Sequence, residues 1–473
     1  MAGFYWSFLF LRLFNAEICN MFSKDLKKEI KLTLNLAVPI IIGQLGVVMM
    51  AITDNIMVGR FLGKIELGAA GIANSIAYLI ASLAIGGMSV VAPMVSKCAA
   101  EKDNSAIKEL FINTLLVALI FCIVLSLVGV LVFSHFEILQ QSPIINRTAP
   151  GFLFYILASN VPLFLFLALK QFADGLSKPK VAMVITALGL IINGIGNYLL
   201  INGKAGLPRL GLEGAAISTF LTRIFMLILL FLYLRNSDTF KGVFKKLEIR
   251  VNLRLAKEIL FRSIPGGFQF FFEIAAFSIA IIMMGWISET ALAAHQIAIN
   301  IASSTYMMAT GFSFAGGIRV GEAWGKRSIK DIKLAGFSAY FLVFLFMSLC
   351  SVLILAFDQF LLKLYIDDFE VIKLALPLLS IAAFFQLSDG IQVVGLGVLR
   401  GLADIKLPTI ITFVAYWVVA LPMGYLLGFV FGLKSIGIWL GLLSGLSVSA
   451  VFLYFRFRNL SKANSLRKRF NAS

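Results

Sequence analysis

Three carboxylates interrupt long apolar stretches of this sequence: Asp54, Glu273 and Asp389. A charge left uncompensated in such surroundings costs several kcal/mol, so each is expected to face the protein interior or a wetted cavity. Asp54 shares its stretch with Gln44, Thr53 and Asn55. Asn193 and Asn197, four residues apart and therefore on one face of a helix, lie in another stretch, with the Thr219 hydroxyl in the next. One carboxylate, two amides and a hydroxyl make an oxygen-rich set suited to a small hard cation or to a proton. The blander reading is that Asp54 orders the loop after it and that the two Asn side chains hydrogen-bond between helices.

The second set is built differently. Gln269 precedes Glu273 by one helical turn, and Gln386, Asp389 and Gln392 follow one another at intervals of three. His295, Gln296 and Asn300 fall between these two segments, with Gln296 and Asn300 again four apart. If Glu273 and Asp389 face each other across a cavity, the pair permits exchange of a proton or cation. Tyr306, Met307 and Met308 offer an aromatic ring and thioethers to a lipophilic cation, and Gln44 and Asn300 add polar lining. His295 is equally suited to titrating and to a structural hydrogen bond.

The elements that must position these groups are membrane helices. The chain has 473 residues, 60% hydrophobic and 14% charged, with a mean hydropathy of +0.95, whereas soluble domains carry roughly 25% charge. Apolar blocks of bilayer-spanning length occupy 32–58, 67–96, 110–133, 149–169, 181–201, 211–234, 260–286, 292–318, 334–357, 371–399, 407–430 and 435–457. They are continuously apolar instead of alternating, which predicts helices and not a membrane barrel. Residues 1–30 read as a leader, interfacial or disordered, and 458–473 as a basic tail. Lys and Arg divide thirty to eight between alternate sides of the twelve spans, which predicts that both termini are cytoplasmic. The net charge of +17 is thus a topology signal. It is spread over short segments with no continuous basic face, which argues against nucleic-acid binding. Cys19, Cys98, Cys122 and Cys350 have no paired spacing and predict neither disulfide nor zinc site. No strand, Gly-rich loop and Lys stand together to cradle phosphate, so the chain is read as no ATPase and no enzyme, with no cofactor.

The sequence also repeats itself. The bridge at 235–259 divides the spans six and six, giving halves at 31–234 and 260–457. Shifted by 224 to 226 positions, Pro39 falls on Pro265, Leu67-Gly-Ala-Ala70 on Ala291-Leu-Ala-Ala294, and Gly175 on Gly401. Six spans per half is an even number, so the repeat is parallel, about an axis along the membrane normal. The expected fold is an all-α polytopic membrane protein of twelve transmembrane helices in two pseudo-symmetric six-helix lobes.

With these residues in place, the chain resembles the multidrug and toxic compound extrusion (MATE) family, in its NorM-like branch. The likeness runs from about Lys31 to Phe457 and rests on Pro39 and Gln44 followed by Thr53-Asp-Asn-Ile-Met-Val-Gly59; on Pro265, Glu273 and Ala293-Ala-His-Gln-Ile-Ala298; on Arg319-Val-Gly-Glu-Ala-Trp-Gly325; and on Asp389-Gly-Ile-Gln-Val-Val394 with Leu399-Arg-Gly401. The resemblance implies export of organic cations in exchange for Na+ or H+, by a monomer in a bacterial cytoplasmic membrane. It implies a cation site at Asp54, Asn193 and Asn197, and coupling or substrate roles for Glu273 and Asp389. Asn197 departs from relatives that have aspartate there, which removes one negative charge. A flippase for lipid-linked oligosaccharide or cell-wall precursor is the alternative. It calls for a cationic cavity, whereas Arg223 and Arg319 are the arginines near span interiors here, against three carboxylates.

Overall fold

The computed structural model describes residues 24–139, 143–237 and 251–472. The leader up to residue 23 and most of the bridge, with the expectations attached to them, lie outside the described residues. Twelve long helices follow in order: α1 (Lys24–Phe61), α2 (Lys64–Met88, continued by Val91–Ala100), α3 (Asn104–Ser134), α4 (Pro143–Gly175), α5 (Pro179–Asn202), α6 (Gly211–Asn236), α7 (Leu253–Ile287), α8 (Glu289–Gly325), α9 (Ile329–Ala356), α10 (Phe369–Gly401), α11 (Lys406–Val430) and α12 (Lys434–Leu460). A short surface helix, α13 (Ala463–Ala472), falls in the basic tail. Each expected span lies on one of the twelve. Eleven are long and apolar enough to cross a membrane by length and composition among the described residues. The twelfth, α8, falls short because His295, Gln296, Asn300, Ser303 and Ser304 dilute its middle.

Local chemistry starts and stops these helices. Asp103 accepts from the Ser105 and Ala106 amides at 3.0 and 2.9 Å, capping α3. Ser288 caps α8 through the Ala291 amide, Ser328 caps α9 through Asp331, and Asp368 caps α10 through Val371. The α5 helix opens on Pro179 and closes at Gly203, whose φ of 67° is left-handed. On α3, Ile123, Leu127 and Leu131 form an i, i+4, i+8 stripe that is 62%, 61% and 63% exposed. In water such a stripe would drive aggregation; in a bilayer it is the ordinary solvent-facing surface.

The chain forms two compact units, and their boundaries cross the expected halves. One unit takes α1 as far as Ile41 together with everything from Phe272; the other runs from Ile42 to Phe271. The division therefore falls inside α1 and α7 and not in the bridge, so 31–234 and 260–457 do not coincide with the compact units. The contacts made by the leading arms of these two helices give the reason. In the first unit, Glu29 on the α1 arm takes both Arg319 Nε and Nη2 at 2.7 Å, Arg319 also pairs with Glu322, and Lys330 reaches Asp25 at 2.6 Å. Gly311 leaves room for Ile41. In the second unit, the Asn252 amide donates to Asn113 Oδ1 at 3.1 Å just before α7, and Gly266 and Gly267 on the α7 arm lie against the Gly86 and Leu83 carbonyls of α2.

Within each unit the helices approach through small residues, as membrane packing requires where no hydrophobic driving force separates helix from lipid. The α8–α10 pair is the tightest case. Ser313 Oγ donates to the Val393 carbonyl at 2.5 Å, and Gly397 packs directly on the Ser313 carbonyl. A Cβ at Gly397 would overlap that oxygen, which is backbone and cannot move aside. Gly397→Val is therefore expected to destabilise the protein by about 3 kcal/mol or more, at or beyond the upper end for overpacking, read as a lowered Tm in detergent. Gly68→Ala, where nothing lies within 4 Å, serves as the neutral control. The apolar core of the first unit gathers around Met283, Met284, Leu378, Leu379, Trp439 and Leu442, and that of the second around Val58, Ala69, Phe152, Leu153 and Ala216.

Candidate ion and substrate sites

In the second unit α1, α5 and α6 converge on Asp54, which is 7% exposed. Asn197 Nδ2 donates to Asp54 Oδ1 at 2.5 Å and Thr219 Oγ1 to Asp54 Oδ2 at 2.9 Å. Asn193 Nδ2 donates to Thr219 Oγ1 at 3.2 Å, and its backbone carbonyl accepts from Ser218 Oγ at 3.1 Å. Asn193 and Asn197 are fully buried, one turn apart on α5, because Gly189 and Gly196 let α6 pack close at Met226 and Ser218. All four residues expected at this site are thus brought together, through chain separations as large as 165 residues.

Both amide nitrogens have a hydrogen-bond partner, whereas among the described residues both amide oxygens, Asn193 Oδ1 and Asn197 Oδ1, lack one although both are buried. An orphaned buried acceptor costs about 1–3 kcal/mol, and two beside one carboxylate suit a guest that offers positive charge without needing a donor in return. Alkali cations prefer oxygen ligands, which these are. No cluster of three or more His, Cys, Asp or Glu positioned for a metal occurs among the described residues.

The first unit holds the second set. Glu273 (5% exposed, on α7) and Asp389 (4% exposed, on α10) are both buried and lie near enough for their charges to interact. The Tyr306 hydroxyl of α8 and the Tyr416 hydroxyl of α11 both hydrogen-bond to Glu273, and the Arg400 charge at the end of α10 acts on it as well. Gln392 Nε2 donates to Tyr416 at 2.8 Å, and among the described residues Gln392 Oε1 has no partner. Thr305 Oγ1 donates to Gln386 Oε1 at 2.8 Å one turn along the same wall.

The remaining expected residues lie on the same helices, α1, α7 and α8. Gln269 is buried on the α7 arm, in the stretch that belongs to the other unit. Gln296 and Asn300 are exposed on α8, on a face that continues through Ser303 and Ser304, and join neither carboxylate. Gln44 is half-buried and is not among the partners of Asp54. His295 is fully buried and accepts from Trp439 Nε1 at 3.0 Å. An indole N–H only donates, so Nδ1 must be the bare nitrogen and the ring a neutral Nε2–H tautomer: the structural reading of His295 is the one that holds. Tyr416 has no signal in the sequence, for a lone Tyr in an aromatic block carries no periodicity. It sits on a π-helical segment, Val414–Ala420, a local irregularity that often accompanies functional positions.

Buried carboxylates held by amides and hydroxyls inside twelve membrane helices fit the class of polytopic membrane transporters. The family comparison sharpens this class. The MatE profile matches residues 39–199 and matches a second time at 265–426, an offset of 226 that sets Pro39 on Pro265. The chain belongs to the MatE family. Its relatives include the probable multidrug resistance protein NorM of Bacillus anthracis, 34% identical over 92% of this chain and 96% of the relative. Another is the multidrug resistance protein MdtK of Proteus mirabilis, 31% identical over 90% and 94%. Among solved structures the eukaryotic MATE transporter AtDTX14 superposes with a TM-score of 0.84 at 19% identity, covering 94% of this chain and 100% of that one. A MATE protein in the bent conformation follows at 0.81 and 18% identity, covering 94% and 99%. These likenesses carry the fold: twelve transmembrane helices in two halves.

Proposed function

We propose that the chain exports organic, mostly cationic and lipophilic compounds by secondary active antiport against Na+ or H+. Multidrug resistance is what the names of its relatives state. The observation that carries the antiport reading is the pair of orphaned amide oxygens beside Asp54, a seat for a positive ion in a lipid-enclosed interior. Asp389 and Glu273 offer the second charged locus, where anionic oxygen and two tyrosine rings suit an aromatic cation. Coupling then requires the ion and the exported compound to prefer opposite states, since equal affinity for both would shift nothing. The proposal places the protein as a monomer in a bacterial cytoplasmic membrane with both termini cytoplasmic.

A flippase reading needs free cationic groups for phosphates. Arg319 is instead held by the carboxylates of Glu29 and Glu322, and the charge of Arg223, anchored on Ser159 and Asn160, is met by that of Asp54. The test uses purified protein in proteoliposomes loaded with ethidium, with Na+ and pH gradients imposed separately. Ethidium movement under one or both gradients is the expected result and names the ion. Movement under neither, with correctly inserted protein, overturns antiport.

A further inference from the structure

Arg223 stands one turn beyond Thr219 on α6, so the helix face that offers a hydroxyl to Asp54 also carries a full positive charge past it. Its Nη1 donates to Ser159 Oγ at 2.6 Å and to Asn160 Oδ1 at 3.0 Å, both on α4 and both buried. These anchors are neutral. Among the described residues Arg223 has no ion pair, and the charge that acts on it is that of Asp54. In return Arg223 is, among the described residues, the one full charge acting on Asp54; the amides and hydroxyls from α5 and α6 that surround the carboxylate are uncharged. A full positive charge inside a membrane-spanning helix is costly unless it is compensated, and neutral anchors alone do not balance it.

The electrostatics follow from counting. With Asp54 ionised and Arg223 beside it, the neighbourhood is neutral; a monovalent cation or a proton taken up at Asp54 leaves it at plus one. In a low-dielectric surrounding that excess is felt strongly. We propose that Arg223 is a fixed counter-charge that sets how loosely the Asp54 site holds its coupling ion, keeping affinity low enough for release on the dilute side. This rests on the antiport reading and adds to it a residue that determines ion affinity without touching the ion.

The test measures ethidium efflux from proteoliposomes at graded concentrations of the ion that drives the wild-type protein, Na+ or H+. Arg223→Gln is expected to lower the half-saturating ion concentration by roughly tenfold, the factor that ~1.4 kcal/mol of lost repulsion gives, and to lower the maximal rate as release slows. Arg223→Lys should remain close to wild type. The double variant Ser159→Ala with Asn160→Ala frees the guanidinium to approach Asp54, so the half-saturating concentration should rise. A merely structural arginine would change protein level and rate but not ion affinity in opposite directions. An unchanged or raised half-saturating concentration in Arg223→Gln overturns the proposal. If that variant does not accumulate, an unchanged or lowered value in the Ser159 and Asn160 variant overturns it. Should Asp54→Asn transport normally, the antiport reading at this site fails instead; an inactive Asp54→Asn with an unchanged Arg223→Gln removes only the role of Arg223.

Discussion

Asp54→Asn is expected to reduce ion-driven efflux by roughly 100-fold or more, the factor that about 2.8 kcal/mol of lost ion binding gives, while leaving the amount of protein in the membrane close to normal. The fold should tolerate the change because the partners of Asp54 can re-pair. The new amide oxygen can still accept from Asn197 Nδ2, and the new N–H2 can donate to Thr219 Oγ1, a hydroxyl with acceptor capacity left after Asn193. What is lost is the net charge that makes two orphaned amide oxygens a cation site instead of a packing defect. Transport assayed in proteoliposomes, with circular dichroism and melting as the folding control, checks both halves of this expectation. Preserved efflux would remove Asp54 from the coupling machinery.

The largest effect is expected when Glu273→Gln is combined with Asp389→Asn. The two carboxylates are buried in the first unit and act on each other, so replacing both with amides removes the two anionic groups of this locus while conserving volume. Tyr306 and Tyr416 need not lose their contacts: a glutamine at this position can accept from one hydroxyl and donate to the other. Ion-driven efflux of ethidium should fall to the level of empty liposomes. Each single variant should retain part of it if one carboxylate can take over the role of its neighbour. Undiminished efflux by the double variant would sink the assignment of this locus, and loss of protein from the membrane would be countered by testing the single variants.

Much of this was legible in the sequence because the signals were local. Twelve spans follow from block length, and the parallel repeat from Pro39 and Pro265 at an offset that the second family match reproduces. The Asp54 cluster was readable because each of its members is a costly polar residue in an apolar run, and Asn193 and Asn197 point the same way by helix geometry alone. Other features were not readable because they are tertiary. Gln296 and Asn300 share the same four-residue spacing as the Asn pair, yet their face of α8 is exposed; spacing identifies a shared face but not what the face meets. Tyr416 depends on a π-helical segment, whose register departs from the α period on which the reading relied. The unit boundaries inside α1 and α7 escaped for the same reason: composition is continuous through Ile41 and Phe271, and the break lies in which partners each segment touches.

The leading arms of α1 and α7 carry a consequence for how such a chain is put together. Each half of the sequence begins with a segment that completes the other's compact unit: residues 24–41 of the first half serve the second, and residues 253–271 of the second half serve the first. This is the architecture of an exchanged dimer whose two subunits have been joined into one polypeptide. Severed in the bridge, each portion would lack an arm and hold an empty berth for its counterpart's. Covalent fusion fixes the one-to-one stoichiometry that the exchange demands, and during synthesis the first-made unit cannot close until the chain has emerged as far as α7.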